Sequence, residues 1–153
     1  MNFRPTAGRS LACLALFVLA IPASAPGQEM TIGNGEKNAI VVDGMTREGR
    51  TFTFREVTLA EPGWLVLHPF EGGEPQGEIY VGAKYLPAGT HESVTIDVQT
   101  APEPAPGTQF IVMLHGDVDR DETFDFFFVD DTNVADKAVF EGSTMIGHVI
   151  AAP

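Results

Sequence analysis

Three aspartates recur at every second position between two apolar runs, and a fourth stands just inside the second run. Asp117, Asp119, Asp121 and Asp125 fall in the stretch from Gln109 to Asp131, flanked by Phe110 to Leu114 and Phe124 to Val129. Alternating carboxylates in a loop suit a hard divalent cation. Calcium takes about six to eight oxygens at flexible angles, and these side chains with the Thr123 carbonyl supply part of that number. The spacing opens as an EF-hand loop does and then departs from it. Glu122 fills the sixth position, where the turn needs glycine, and Phe128 fills the twelfth, where a bidentate glutamate belongs. What is left is a simpler ion loop, with Asp117, Asp119 and Asp121 as side-chain ligands and Asp125 as an outlying fourth. The other reading is a solvated acidic hairpin tip that keeps a hydrophobic strand pair soluble, the commoner use of a run of like charges. Both readings expect a hairpin.

Histidines offer a second chemistry. His68, His91 and His115 each fall near the end of an apolar run, and His148 lies in the last one. Neutral imidazole binds zinc and copper, and Met113 and Met145 stand two and three residues before histidines, as a soft-metal site would use them. The alternative to a calcium module is therefore a copper or zinc carrier built on His68, His91 and His115. Strand-end histidines more often hydrogen-bond a loop, and the methionines equally serve as core filler.

Enzyme signatures are absent. His91-Glu-Ser-Val-Thr95 lacks the second histidine of a zinc protease, and Gly33-Asn-Gly-Glu-Lys-Asn38 lacks the third glycine of a dinucleotide loop. Beyond residue 28 the only serines are Ser93 and Ser143, neither in a nucleophile elbow. No catalytic residue is assigned, and no cofactor other than calcium is expected.

The first 27 residues have the character of a secretory signal peptide. Arg4 and Arg9 precede an apolar run from Leu11 to Ile21, and a small-residue segment reaches Gln28. That run is shorter than the roughly 20 residues a membrane-spanning helix needs. The expected product is exported, periplasmic or extracellular, with no membrane insertion after cleavage. Cys13 is the only cysteine and lies within the leader, so the processed chain has no thiol and no disulfide. Seven basic against 21 acidic residues then give a formal charge of −14. Such a surface repels phosphate backbones and anionic headgroups, which argues against nucleic-acid and membrane-surface partners. A protein or surface partner of unknown identity is the remaining class.

These residues must be positioned by strands. Residues 28–37 are polar and read as a flexible leader, and residues 38–153 read as one domain. Thr51 to Phe54 alternates with period two, and Val57 to Leu59 alternates in the opposite frame, so a bulge or a change of sheet is expected at Arg55-Glu56. Gly63 to His68 is apolar on both faces and reads as a central strand, with Trp64 packed between sheets. Glu78 to Val81, Ser93 to Val98, Gln109 to His115, Phe124 to Val129 and Thr144 to Ile150 supply further strands. Residues 133–140 have room for one helical turn. Short alternating runs separated by turn signals predict an all-β, immunoglobulin-like antiparallel β-sandwich of about seven or eight strands. Tyr80 and Tyr85 border its turns, either as a ligand-facing rim or as packing at the edge of the core.

Three blocks carry a resemblance. Gly63-Trp-Leu-Val-Leu-His68, the segment from Tyr85 to Ile96 containing Leu-Pro-Ala-Gly-Thr-His-Glu, and the segment from Met113 to Phe126 containing His-Gly-Asp-Val-Asp resemble an uncharacterised domain-of-unknown-function family. Its members occur in surface proteins of halophilic archaea and in exported bacterial proteins. That family usually has Asn-Gly in the acidic loop and an Asp-Gly-Pro-Tyr-like segment after it, where this chain has Arg120-Asp121-Glu122 and Asp130-Asp131-Thr132. The resemblance implies an exported β-sandwich without a known activity.

Overall fold

The structure is a computed structural model, and it describes residues 30–77, 79–125 and 136–153. Eleven strands make up the described fold. They are β1 (Thr31–Gly33), β2 (Ala39–Val41), β3 (Thr46–Glu48), β4 (Thr51–Leu59), β5 (Gly63–Glu71), β6 (Glu74–Pro75), β7 (Gly82–Leu86), β8 (Gly89–Asp97), β9 (Gln109–Gly116), β10 (Phe140–Glu141) and β11 (Thr144–Ala151). The larger sheet runs β1-β11-β9-β5-β6, with β7 also on β5 and β10 also on β11. The smaller sheet has β4 at its centre, paired with β2, β3 and β8. The fold is thus the expected all-β sandwich. It has more strands than expected because several are only two or three residues long, and its β1–β11 pair is parallel where the rest are antiparallel.

Alternation decides which side chains the sheets enclose. Phe52, Phe54, Val57 and Leu59 of β4 meet Leu65 and Leu67 of β5 and Phe110, Val112 and Leu114 of β9 in one core. Phe52 and Phe110 touch edge to face across it, with ring centroids 5.6 Å apart. The frame shift in β4 occurs without leaving the sheet. Phe54 pairs with Val94 and Glu56 with Glu92, while Ser93, opposite the shift, takes a left-handed φ of 54°. The strand continues through the shift in one register with β8.

The outer face of the larger sheet is also covered, and this was not expected. Trp64, Val66 and His68 project from β5 away from Leu65 and Leu67, and the register sets them opposite His115, Met113 and Ile111 of β9. Ile111, Met113 and Met145 form a second apolar cluster with Phe70 and Ala138. Trp64 therefore packs outside the sandwich, against Tyr85 and Phe124.

Among the described residues, Phe124 and Asp125 are not in a strand, and β9 is flanked by β5 on one edge and β11 on the other. The chain instead makes an excursion from Gly116 and returns at Asp136. Its return is sealed by the Gly116 N–H on the Lys137 carbonyl at 2.8 Å, the Val139 N–H on the Leu114 carbonyl at 2.8 Å and a bridge between His115 and Ala138. The rest of the expected strand, residues 126–129, lies outside the described residues, as do residues 133–135 of the expected helical turn and the leader up to residue 29; residues 136–140 form no helical turn, Ala138 bridging to His115 and Phe140 opening β10. Two other boundaries moved. Residues 79–81 form no strand, the pairing with β5 being made by Gly82–Leu86. Residues 31–33, read as part of a flexible leader, pair with β11, and His148 fixes that junction through a 2.8 Å contact of its Nε2 with Asn34 Oδ1.

Candidate functional site

The excursion begins where two strands come unusually close. Gly63 pairs with Gly116, and a side chain at Gly63 would run into the His115 carbonyl oxygen. Glycine at this point lets β9 lie tight against β5 up to its last residue. The Asp117 N–H then bonds the Pro62 carbonyl at 3.2 Å, which turns the Asp117 carboxylate under the excursion.

There it meets two others. Asp117, Asp119 and Asp136 each offer a carboxylate oxygen, and the three oxygens lie within 4.8 Å of one another. Asp117 and Asp136 are buried, Asp136 completely. The Oδ1 atoms of both have no hydrogen-bond donor among the described residues. Asp136 Oδ2 accepts from the Asp125 N–H at 3.1 Å. Burial pushes the Asp136 carboxyl up to about 6, and the neighbouring Asp125 and Asp117 charges add to the rise against main-chain hydrogen bonds that oppose it. Asp119, though exposed, is raised as well, by local desolvation and then by the Asp121 and Asp125 charges, against main-chain hydrogen bonds that oppose the rise.

Of the four aspartates singled out by spacing, the structure brings Asp117 and Asp119 into this group. Asp121 is turned away; its Oδ1 accepts the Thr123 N–H at 2.7 Å in a local turn between Arg120 and Glu122, both of which have left-handed φ. Asp125 meets Asp136 through its main chain, and its buried Oδ1 has no donor among the described residues. Asp136 was missed. It follows the acidic loop by more than ten residues, and its only sequence signal is a lone acid in the apolar-flanked run Val134-Ala-Asp-Lys-Ala-Val139.

The histidines divide similarly. His68 and His115 approach each other over the Val66–Met113 pair, with Nε2 atoms 3.3 Å apart and both residues buried. His68 Nδ1 lies 2.8 Å from the Ile79 carbonyl, and His115 Nδ1 lies 2.9 Å from the Asp136 carbonyl. A carbonyl only accepts, so each ring donates from Nδ1. Burial lowers the basicity of both rings; for His115 the fall is to about 4, with the His68 charge adding to it and the Asp136 carbonyl opposing it. Phe124 stands edge-on to His115 at 5.4 Å and to Tyr80 at 4.9 Å. His91 is elsewhere. It pairs with Val57 in the smaller sheet and bonds the Pro87 carbonyl at 2.7 Å, so it cannot join His68 and His115.

Comparison with curated proteins and with solved structures found no match to this chain. A family model does match, over residues 38–148, a span that holds both groups of side chains. The chain belongs to the family described as "Domain of unknown function (DUF7282)".

Proposed function

We propose that this protein is an exported, acidic β-sandwich module that acts through binding or structural contact rather than catalysis, with its excursion after β9 pinned by a calcium ion at Asp117, Asp119 and Asp136. The observation that carries the reading is the pair of buried Oδ1 atoms, on Asp117 and Asp136, that lack a donor among the described residues. A buried carboxylate oxygen left without a donor is destabilising, at a cost of about 1 to 3 kcal/mol or more for a charged group. A cation among the three carboxylates removes that cost. Calcium suits the site best, because the donors are all oxygen and come from an irregular loop, whereas magnesium demands near-ideal octahedral geometry and zinc favours nitrogen and sulfur.

The formal charge of −14 expected for the processed chain supports a partner that is a protein or a surface other than nucleic acid or anionic lipid. The leader-like first 27 residues support export.

The reading is tested by melting the protein in calcium, in magnesium and in chelator at one ionic strength. At a hundredfold excess over Kd a bound ion adds about 2.7 kcal/mol, which for a domain of this size raises Tm by on the order of 10 °C. Equal melting in calcium and chelator would remove the ion from the account.

A further inference from the structure

We propose that the calcium site is also a latch: the bound ion holds Phe124 seated against Trp64, and its release opens an aromatic face of the larger sheet. This rests on the calcium reading above and adds what the ion controls.

The seat of Phe124 is the first argument. Its ring meets Trp64 of β5 at 5.4 Å, Tyr80 at 4.9 Å and His115 of β9 at 5.4 Å. Tyr85 of β7 also packs on Trp64, with ring centroids 5.2 Å apart. Trp64 is buried among these rings, while Tyr80, Tyr85 and Phe124 are each half-buried. Trp64, Tyr85 and His115 are carried by the sheet itself, and Phe124 is carried by the excursion after β9.

The link to the carboxylates is the second argument. Phe124 is followed directly by Asp125, whose N–H is held by Asp136 Oδ2 at 3.1 Å. The same Asp136 carboxylate belongs to the group with Asp117 and Asp119. An ion that fixes this carboxylate therefore fixes the main chain beside Phe124.

The third argument is that the seated arrangement carries two tensions. Asp117, Asp119 and Asp136 crowd like charges together. The Trp64 Nε1–H is buried with no acceptor among the described residues, a deficit that water relieves once Phe124 lifts. Both favour opening, and the ring contacts and the ion oppose it. An ion that binds only the seated state, at a hundredfold excess over Kd, shifts the ratio of seated to open about a hundredfold.

Trp64 is the chain's only tryptophan, so its fluorescence reports on this face alone. The purified full chain is titrated with calcium and with magnesium, and then with excess chelator. Emission, acrylamide quenching and far-ultraviolet circular dichroism are recorded, with calorimetry on the same samples. Chelator should move the emission to the red and raise acrylamide quenching severalfold while the sheet signal stays constant. Calcium should reverse both changes, with the midpoint that calorimetry gives. Phe124→Ala, which removes no ligand, should still bind calcium but leave Trp64 open to acrylamide in both buffers. Phe124→Leu, which keeps an apolar side chain there, should retain the calcium response. If Phe124→Ala does not fold, the titration of the unaltered protein decides. Calorimetric binding of calcium with Trp64 equally shielded in both buffers would overturn the latch and leave the ion site standing. Loss of the sheet signal together with the shielding would assign the change to unfolding of the whole domain and overturn the latch likewise. Absence of calorimetric binding would remove the ion site and the latch with it.

Discussion

His115 donates from Nδ1 to the main-chain oxygen of Asp136 at 2.9 Å, while the side chain of the same Asp136 points into the carboxylate group. One residue thus joins the buried histidine pair to the acidic site through two different atoms. The peptide oxygen fixes a tautomer and the carboxylate faces Asp117 and Asp119. Whatever orders the return of the chain at Asp136 therefore also orders the His115 ring.

Replacing Asp136 by asparagine should change stability with opposite sign in the two ionic conditions. Without calcium the buried charge is unfavourable, its carboxyl being pushed up to about 6, so Asp136→Asn should melt higher than the unaltered protein in chelator. With calcium the order should reverse, since the variant loses a ligand. Melting curves of both proteins in both buffers check this. A variant that is less stable in chelator as well would mean that the carboxylate is already compensated without an ion.

The spatial rather than the sequential grouping of aspartates should govern affinity. Asp117→Asn removes a buried ligand and should weaken calcium binding by roughly tenfold or more. Asp121→Asn should leave the affinity within about twofold, because Asp121 spends its Oδ1 on the Thr123 N–H. Calorimetric titration of the two variants separates the possibilities, and equal losses would restore the loop as sequence spacing drew it.

Glu141 acts as a clamp on the chain entering the sandwich. Its carboxylate accepts from the Glu36, Lys37 and Asn38 N–H groups and from the Asn38 side chain. These bonds, that from the Asn38 side chain foremost, hold its pKa below the ordinary glutamate value. A depressed carboxyl contributes stability that is present above the unfolded pKa, near 4.5, and is lost as pH falls through the lower folded value. Glu141→Gln should therefore lower Tm at pH 7, and the gap to the unaltered protein should narrow as pH drops below 4.5. Melts between pH 7 and pH 3 give the comparison; a gap that is constant with pH would show that the clamp does not depend on charge.

Gly63→Ala should cost about 1 to 3 kcal/mol, the usual penalty for forcing a methyl group into packed structure, because the His115 carbonyl occupies the place of the new Cβ. Gly72→Ala, with open space around its Cβ, differs in that its penalty comes from a left-handed φ of 65° alone. Denaturant midpoints measure both. The distinguishing result is that only Gly63→Ala also weakens metal binding, since it displaces the end of β9 from which His115 and Asp117 project.

The strands of the sandwich were legible where alternation was strict, as in Ser93 to Asp97 of β8, because a period of two fixes one wet and one packed face, and where short apolar runs stood between turn signals, as in β5 and β9. Pairing was less so. Phe124 to Val129 has the composition of a strand, yet Phe124 and Asp125 are in none and both edges of β9 are taken by strands distant in sequence, a competition that no local pattern encodes. Trp64 was assigned to the wrong face for a related reason: β5 is apolar on both sides, so the sequence could not say which side the second sheet covers. The candidate residues were recognised by type and mis-grouped by proximity. Asp121 belonged to the spacing and not to the site, Asp136 the reverse, and only the register of β5 against β9 shows that His68 meets His115 and not His91.

The measurement that bears most directly on the account is a calorimetric titration of the protein with calcium, repeated on Asp136→Asn. The account predicts saturable binding of one calcium per chain in the unaltered protein and loss of that binding in the variant. Weak, unsaturable binding that is the same in both proteins would mean that Asp117, Asp119 and Asp136 gather without an ion, and would contradict the central claim.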